Sequence, residues 1–146
     1  MSIQSVIIGT GSCIPTKVVK NEDFLESTFL QEDGTPFSGD TALIIKKFEK
    51  ITGIKERRYA LDSQNASDLA VIAANNAIVS AAIDKNKIDY ILLAHNFGDV
   101  SKGSIQGDML PSLASKVKHK LGVQNPNCVA LDIVFGCPGW LQGMLQ

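Results

Sequence analysis

No stretch of this 146-residue chain is apolar for the length a membrane span needs, and its amino terminus lacks the basic and long apolar segments of a signal peptide. Surplus charge is lacking too. Fourteen basic residues stand against fifteen acidic ones, a net charge of −1, so there is no basic footprint of the kind that binds nucleic acid. Cysteine is scarce: Cys13, Cys128 and Cys137 cannot all pair within one chain, and their spacing fits neither a zinc knuckle nor a CxxC pair. Neither a membrane nor a nucleic-acid partner is therefore expected, no metal site and no cofactor are implied, and a reducing cytoplasm is the compartment that fits. What is present is apolar substance. At 45% hydrophobic the chain can bury one sizeable core, and residues 1–146 read as one domain.

The most informative stretch is Val129-Ala-Leu-Asp-Ile-Val-Phe-Gly-Cys-Pro-Gly-Trp-Leu-Gln-Gly-Met144. Residues 129–135 are β-branched, apolar and nearly uncharged, the composition of a strand buried on both faces, and Gly136 permits a sharp turn for want of a Cβ. Pro138 then favours a helix start, because its missing N–H is one of the donors that a first turn leaves unpaired. Cys137 is thereby expected at or next to the N-cap, where aligned peptide dipoles favour negative charge and with it a thiolate. A thiolate is a far better attacker than a thiol, and Gly136 and Gly139 leave room for a substrate carbon to approach. The arrangement parallels the strand, elbow and helix of serine hydrolases. Free cysteine is also among the most buried residue types, so a packed core thiol is the competing reading. Cys13 and Cys128, without charged or helix-terminal neighbours, read as small apolar residues.

Three segments, Ile7-Ile-Gly-Thr-Gly-Ser-Cys-Ile-Pro15, Thr52-Gly-Ile-Lys-Glu-Arg-Arg-Tyr-Ala60 and Ala130-Leu-Asp-Ile-Val-Phe-Gly-Cys-Pro-Gly139, carry a resemblance when taken together. In order and spacing they resemble the opening strand, the TGI-x-ERR segment and the active-site cysteine segment of the β-ketoacyl-acyl-carrier-protein synthase III family, in the thiolase superfamily. The resemblance spans nearly the whole chain but only the amino-terminal half of such an enzyme. It implies an α/β, thiolase-like fold, here the amino-terminal half of a layered α-β-α-β-α arrangement ending within the nucleophile's helix. It also implies that Cys137 is the catalytic nucleophile, and that Lys55, Arg57 and Arg58 lie near the mouth of the tunnel admitting the phosphopantetheine arm of coenzyme A or carrier protein. The chain departs from the family at two positions. Well-studied members carry an arginine immediately before the Thr-Gly and a tryptophan four residues earlier, gripping the adenine of coenzyme A, where this chain has Ile51 and Lys47. That points toward a carrier-protein-bound or unusual acyl donor. Leu110, just before Pro-Ser, stands where the family often has an aromatic residue bounding the acyl pocket of the dimer partner, so a homodimer with a pocket of different depth is expected.

Elsewhere the periodicities predict alternating helices and strands. Ile3 to Ile8 reads as a first strand, and the Gly9-Thr-Gly-Ser12 after it is no dinucleotide fingerprint, because Ile14 takes the third glycine's place and Pro15 follows instead of a helix. Asn21 is a good N-cap for a short helix carrying Phe24, Leu25 and Phe29, residues 31–40 form a loop, and a helix runs from Ala42 to Ile51 with Gly53 as its stop. By themselves the basic residues at 55–58 read as solvated surface. A long helix from Asp68 to Ile83, capped by Asn65 or Ser67, has apolar residues spread around it and six alanines, so burial on more than one side is expected. Ile88 to Ala94 is a second buried strand, and 95–108 is a loop at its carboxyl end, where α/β folds place function. His95 reads as a histidine satisfying local hydrogen bonds rather than as a base for Cys137, and His119 as solvated. Leu110-Pro-Ser112 opens a further helix, with Pro111 near N1, Leu113, Val117 and Leu121 inward, and Gly122 as the stop.

After Cys137 the apolar residues Trp140, Leu141, Met144 and Leu145 predict a buried helix that reaches Gln146 without a stop signal. The chain therefore reads as a piece of a longer enzyme, inert alone; turnover of malonyl-carrier protein by it would overturn that. For the intact enzyme the resemblance implies decarboxylative Claisen condensation of an acyl-cysteine intermediate with malonyl-acyl-carrier protein, giving the 3-oxoacyl thioester that initiates fatty acid synthesis. The partners implied are an acyl thioester of coenzyme A or carrier protein, and malonyl-acyl-carrier protein. The histidine and asparagine that stabilise the enolate in such enzymes lie in the second half. Two other readings remain. One is a ketosynthase-III-like enzyme of secondary metabolism joining an acyl group to a β-ketoacyl thioester, the other a non-catalytic acyl-binding or dimerisation module.

Overall fold

The structure, a computed structural model, describes residues 5–146. Its described residues divide into two units: Pro15–Leu61 form one, and the residues up to Ile14 together with Asp62–Gln146 form the other.

In the Pro15–Leu61 unit, β1 (Lys17–Lys20) pairs antiparallel with β2 (Glu56–Tyr59), Lys17 opposite Tyr59 and Lys20 opposite Glu56. Both strands are four residues long, with two charged residues in β1 and three in β2, so neither shows the apolar alternation that marks a strand. A 3₁₀ turn (Asn21–Phe24) follows β1, and helix α1 spans Thr41–Thr52. The helix starts where Asp40 accepts the Ala42 N–H at 2.9 Å and ends at Gly53, whose φ of 70° needs a residue without a Cβ. Asn21 is not a cap. It is buried, donates to the Glu49 carboxylate (3.0 Å) and the Ile54 carbonyl (2.9 Å), and accepts from Arg57 (3.0 Å), while Asp23 takes the Lys20 N–H at the turn's start. Phe29 lies outside the turn and meets Phe48 edge-on, ring centroids 5.8 Å apart.

In the other unit, β3 (Tyr90–His95) and β4 (Val129–Val134) run parallel in register, joined through helix α3 (Leu113–Leu121). Side chains alternate across a strand, so Ile91 and Leu93 point to one face, where they pack on Val117, Leu121, Val123 and Cys128. Helix α2 (Ala66–Ala81) covers that core with Ala70, Val71, Ala74 and Ile78. Leu92 and Ala94 point to the opposite face, where α4 (Gly139–Leu145) begins: a Cβ on Gly139 would lie 3.2 Å from that of Ala94. The result is a helix, sheet, helix layering of α/β type.

Several expectations are corrected. Residues 5–8 lie in no strand, and Ile3 is outside the described residues. Helix α2, by contrast, is covered on more than one side as expected, by the core on Ala70, Val71, Ala74 and Ile78 and by Gly9 and Gly11 on Ala73, Ala77 and Ala81, while Val79 is 79% exposed. Strand β4 is not covered on both faces, because among the described residues it pairs only with β3, leaving Leu131 and Val134 exposed. Helix α4 lays its apolar run open, Trp140 being 71% exposed, because no described element packs over it. No helix among the described residues is long and apolar enough to cross a membrane.

Gly9 and Gly11 have a packing role. A Cβ on Gly11 would lie 2.2 Å from the Ala73 carbonyl and 2.4 Å from the Ala77 nitrogen, backbone atoms of α2 that cannot give way. Asn76 fastens the same segment by donating to the Ser12 carbonyl at 3.0 Å. Gly11→Ala is expected to destabilise by about 1–3 kcal/mol through this overpacking, read in urea denaturation. Gly136→Ala, with nothing within 4 Å of its Cβ, should match the wild type and serves as the control.

Candidate active site

Strand β4 is followed by Phe135, whose N–H donates to the His95 carbonyl at 3.2 Å, and then by a turn in which Gly139 N–H reaches the Gly136 carbonyl at 2.8 Å. Pro138 occupies the N-cap of α4, one place earlier than N1, and Gln142 N–H closes the first turn on its carbonyl at 2.9 Å. Cys137 is thus the residue immediately before the cap. It is exposed, whereas Cys128 is buried in the α3 core and Cys13 is half-buried. Cys137 lines an open cavity of about 670 Å³ together with His95, Asn96, Phe135 and Trp140.

Beside this turn lies a polar junction. Asp132, in register with Leu93 and so on the α3 face of β4, accepts the Leu113 and Ala114 N–H groups, each at 2.7 Å, and lies 3.0 Å from His95 Nε2. Those two N–H groups are orphan donors of the first turn of α3, and a carboxylate there also suits the helix dipole. Burial alone would raise the carboxyl's pKa, but the Ala114 N–H, His95 and the Leu113 N–H outweigh it and hold it below the usual range. Sequence reasoning passed over Asp132. The signal was available, since an aspartate inside an otherwise apolar strand must find partners when buried. His95 satisfies one ring nitrogen locally, with Gly98 N–H on Nδ1 at 3.0 Å, and the other through the distant Asp132; His119 is exposed.

Leu110 belongs to the same unit as Cys137 and is 88% exposed. Pro111 precedes rather than opens α3, because Ser112 is the cap and its hydroxyl accepts the Ser115 N–H. The loop leading to Leu110 is closed at its base by Asp99 and Asp108, whose backbones pair in both directions. Lys55, Arg57 and Arg58 belong to the Pro15–Leu61 unit. Lys55 is exposed, and Arg58 is exposed beside Glu56 at 3.2 Å. Arg57 is half-buried, its guanidinium 5.0 Å over the Phe24 ring and bonded to Asn21. No cluster of three or more His, Cys, Asp or Glu side chains able to hold a metal ion occurs among the described residues.

This fold is shared with solved ketosynthases. The 3-oxoacyl-(acyl-carrier protein) synthase of Burkholderia xenovorans LB400 superposes with a TM-score of 0.73 at 26% identity, over 94% of this chain and 33% of that one. OleA of Xanthomonas campestris superposes with a TM-score of 0.69 at 26% identity, over 94% of this chain and 36% of its own. The architecture is therefore that of thiolase-like ketosynthases. No family model matches the chain. Among curated proteins, the β-ketoacyl-[acyl-carrier-protein] synthase III of Ehrlichia canis is 36% identical over 141 residues, covering 97% of this chain and 37% of that protein. Synthase III 1 of Vibrio vulnificus is 33% identical over 140 residues, covering 96% and 37%. Over nearly its whole length the chain is similar to part of β-ketoacyl-acyl-carrier-protein synthases III. It spans about 37% of the length of these curated relatives, in keeping with an amino-terminal half.

Proposed function

We propose that this chain supplies the nucleophile of a decarboxylating condensing enzyme, with Cys137 as the residue that takes the acyl group. The observation that carries this reading is the exposed thiol, set between a parallel strand and a helix start and opening on a cavity. Cys137 gives up its proton, and its thiolate attacks the carbonyl carbon of an acyl thioester; the new C–S bond forms as the bond to the carrier sulfur breaks, and the carrier leaves as a thiolate that takes up the proton Cys137 lost. Malonyl-acyl-carrier protein then loses carbon dioxide, its enolate carbon attacks the acyl carbon, and the Cys137 thiolate departs, leaving a 3-oxoacyl thioester. The Cys137 N–H, at the turn into α4, is a donor for the oxyanion of each tetrahedral intermediate.

Lys55, Arg57 and Arg58 are proposed to attract phosphate or an acidic carrier. Arg57 also holds Asn21 and Phe24, so its replacement should disturb that unit's packing, whereas Lys55 and Arg58 are free of such duties to the core. The enzyme is proposed to act as a cytoplasmic homodimer in which Leu110 bounds the acyl pocket of the second copy. A dimer structure with Leu110 far from its partner's cysteine would sink that assignment. Ile51 and Lys47 favour a donor carried on protein over acyl-coenzyme A, and with the loop at 31–40 they support a second reading, joining of an acyl group to a β-ketoacyl thioester in secondary metabolism.

Intact-protein mass spectrometry of the full-length enzyme that contains this chain tests the proposal after incubation with acyl-coenzyme A and acyl-carrier-protein donors of several lengths. A covalent acyl adduct is expected on the wild type and should be absent from Cys137→Ala. Supplying malonyl-carrier protein or a β-ketoacyl thioester to the acylated enzyme then separates the two readings by product. A folded protein that takes no acyl group from any donor would leave a non-catalytic acyl-binding or dimerisation module.

A further inference from the structure

His95 is a buried titratable side chain that the proposed reaction does not use. It ends β3 with its side chain 7% exposed, and it lines the same cavity as Cys137. Its polar atoms are all engaged. Nδ1 accepts the Gly98 N–H at 3.0 Å, Nε2 lies 3.0 Å from Asp132 Oδ2, and its carbonyl accepts the Phe135 N–H at 3.2 Å. The partners assign the tautomer. Since Asp132 accepts two backbone N–H groups as a carboxylate, the proton it shares with the ring sits on Nε2; since Gly98 presents an N–H, Nδ1 carries a lone pair. A proton on Nδ1 would set two donors face to face. A general base needs a free lone pair within reach of the proton it takes, and this ring has none to spare.

We propose that His95 is a positioning residue for Cys137, a neutral Nε2–H ring that ties three segments to one another. Through Gly98 it holds the start of the loop that leads to Leu110. Through Asp132 it is linked to the first turn of α3, and through its carbonyl to Phe135, two residues before the cysteine. The Gly98 N–H is itself fixed in place. Its φ of 81° suits glycine, and a Cβ there would lie 2.7 Å from the Asp108 carbonyl oxygen. With ring, peptide and loop locked, the turn after β4 has one orientation, and the thiol one line of approach to a bound thioester. The proposal rests on the reading of Cys137 as nucleophile.

The test compares two reactions of the same thiol in the wild type, His95→Ala and His95→Gln. Acyl transfer from a thioester donor requires alignment, whereas alkylation by iodoacetamide requires only an accessible thiolate. His95→Ala is expected to slow acyl transfer about tenfold or more, as small misplacements of reacting groups do. Alkylation should stay within about twofold, with its pH midpoint unmoved, because a small freely diffusing reagent needs no alignment. His95→Gln, whose amide N–H can still reach Asp132, should recover most of the acyl transfer. Alkylation that falls in step with acyl transfer, or a displaced midpoint, would overturn the proposal in favour of a base; unchanged acyl transfer would overturn it in favour of a purely structural ring. If the wild type takes no acyl group from any donor, the nucleophile reading has failed instead. The ring nitrogen spectrum then decides the ring's part: Nε2–H with an unprotonated Nδ1 supports the locked tautomer, and a proton on Nδ1 or exchange between tautomers overturns it.

Discussion

Replacing Asp132 with alanine is expected to lower folding stability by about 3 kcal/mol, read as a lower urea midpoint with an unchanged slope. The side chain is 12% exposed and serves three donors at once: the Leu113 and Ala114 N–H groups at 2.7 Å and His95 Nε2 at 3.0 Å. Leu113 and Ala114 are fully buried, so water cannot replace the lost acceptor. Asp132→Asn keeps one acceptor oxygen but turns the other toward a donor, and should fall between alanine and the wild type. A pH dependence follows with a definite sign. The folded-state carboxyl titrates below its ordinary value because N–H donors outweigh burial, so its contribution is fully present above the unfolded value of about 4 and is lost as pH falls through the lower folded value. Stability of the wild type should therefore be level through neutral pH and decline below about pH 4, and Asp132→Ala should show a shallower decline. Asp68, held low first by Lys120 and then by the Asn65 N–H, contributes in the same window, so some decline should survive in the variant. An alanine variant within about 0.5 kcal/mol of the wild type would mean that the first turn of α3 finds other acceptors.

How much of this could be read from the residues depended on whether the deciding partner is near in sequence. Gly53 and Gly122 end α1 and α3 as expected, because a left-handed C′ residue is dictated by the few residues before it. Strands β3 and β4, though not their parallel pairing, and the turn that presents Cys137 were legible for the same reason: a short apolar run, a cysteine and a proline are all local. Asp132 was missed because its partners lie 19 and 37 residues away, and only the crossover through α3 brings them together. Strands β1 and β2 were missed because each is four residues long, at least half charged, and paired across the whole of α1. Arg57 shows the same limit. Its charge suggested a solvated surface, whereas its position on β2 sets the guanidinium on Phe24. The apolar run of α4 correctly signalled a helix but could not say which surface covers it, and in the described residues none does.

Asp99→Ala is expected to have the second large effect, about 2–3 kcal/mol, from a buried carboxylate whose loss strands its donors. Asp99 is 8% exposed in its side chain, accepts both the N–H and the hydroxyl of Ser67 at 2.8 Å, and lies 3.3 Å from Lys116 Nζ. It thereby joins the first turn of α2 to α3, while its backbone exchanges hydrogen bonds of 3.0 and 2.7 Å with Asp108. Alanine would leave the Ser67 N–H unpaired in a fully buried residue, although Lys116 would keep Asp108 at 2.8 Å. The chain between residues 99 and 108 should then open more readily, read as faster hydrogen exchange at the Asp99 and Asp108 amides, with the β3 and β4 amides following only the global loss of stability. Asp99→Asn keeps an oxygen for the Ser67 N–H and should retain most of the protection. The consequence for function lies two residues beyond the pair. If Leu110 sets pocket depth, a loosened loop should broaden the range of acyl lengths loaded onto Cys137 while leaving its alkylation by iodoacetamide unchanged. A donor preference that stays narrow despite rapid exchange at Asp108 would separate Leu110 from specificity, and would place the limit on chain length in the cavity beside Cys137 itself.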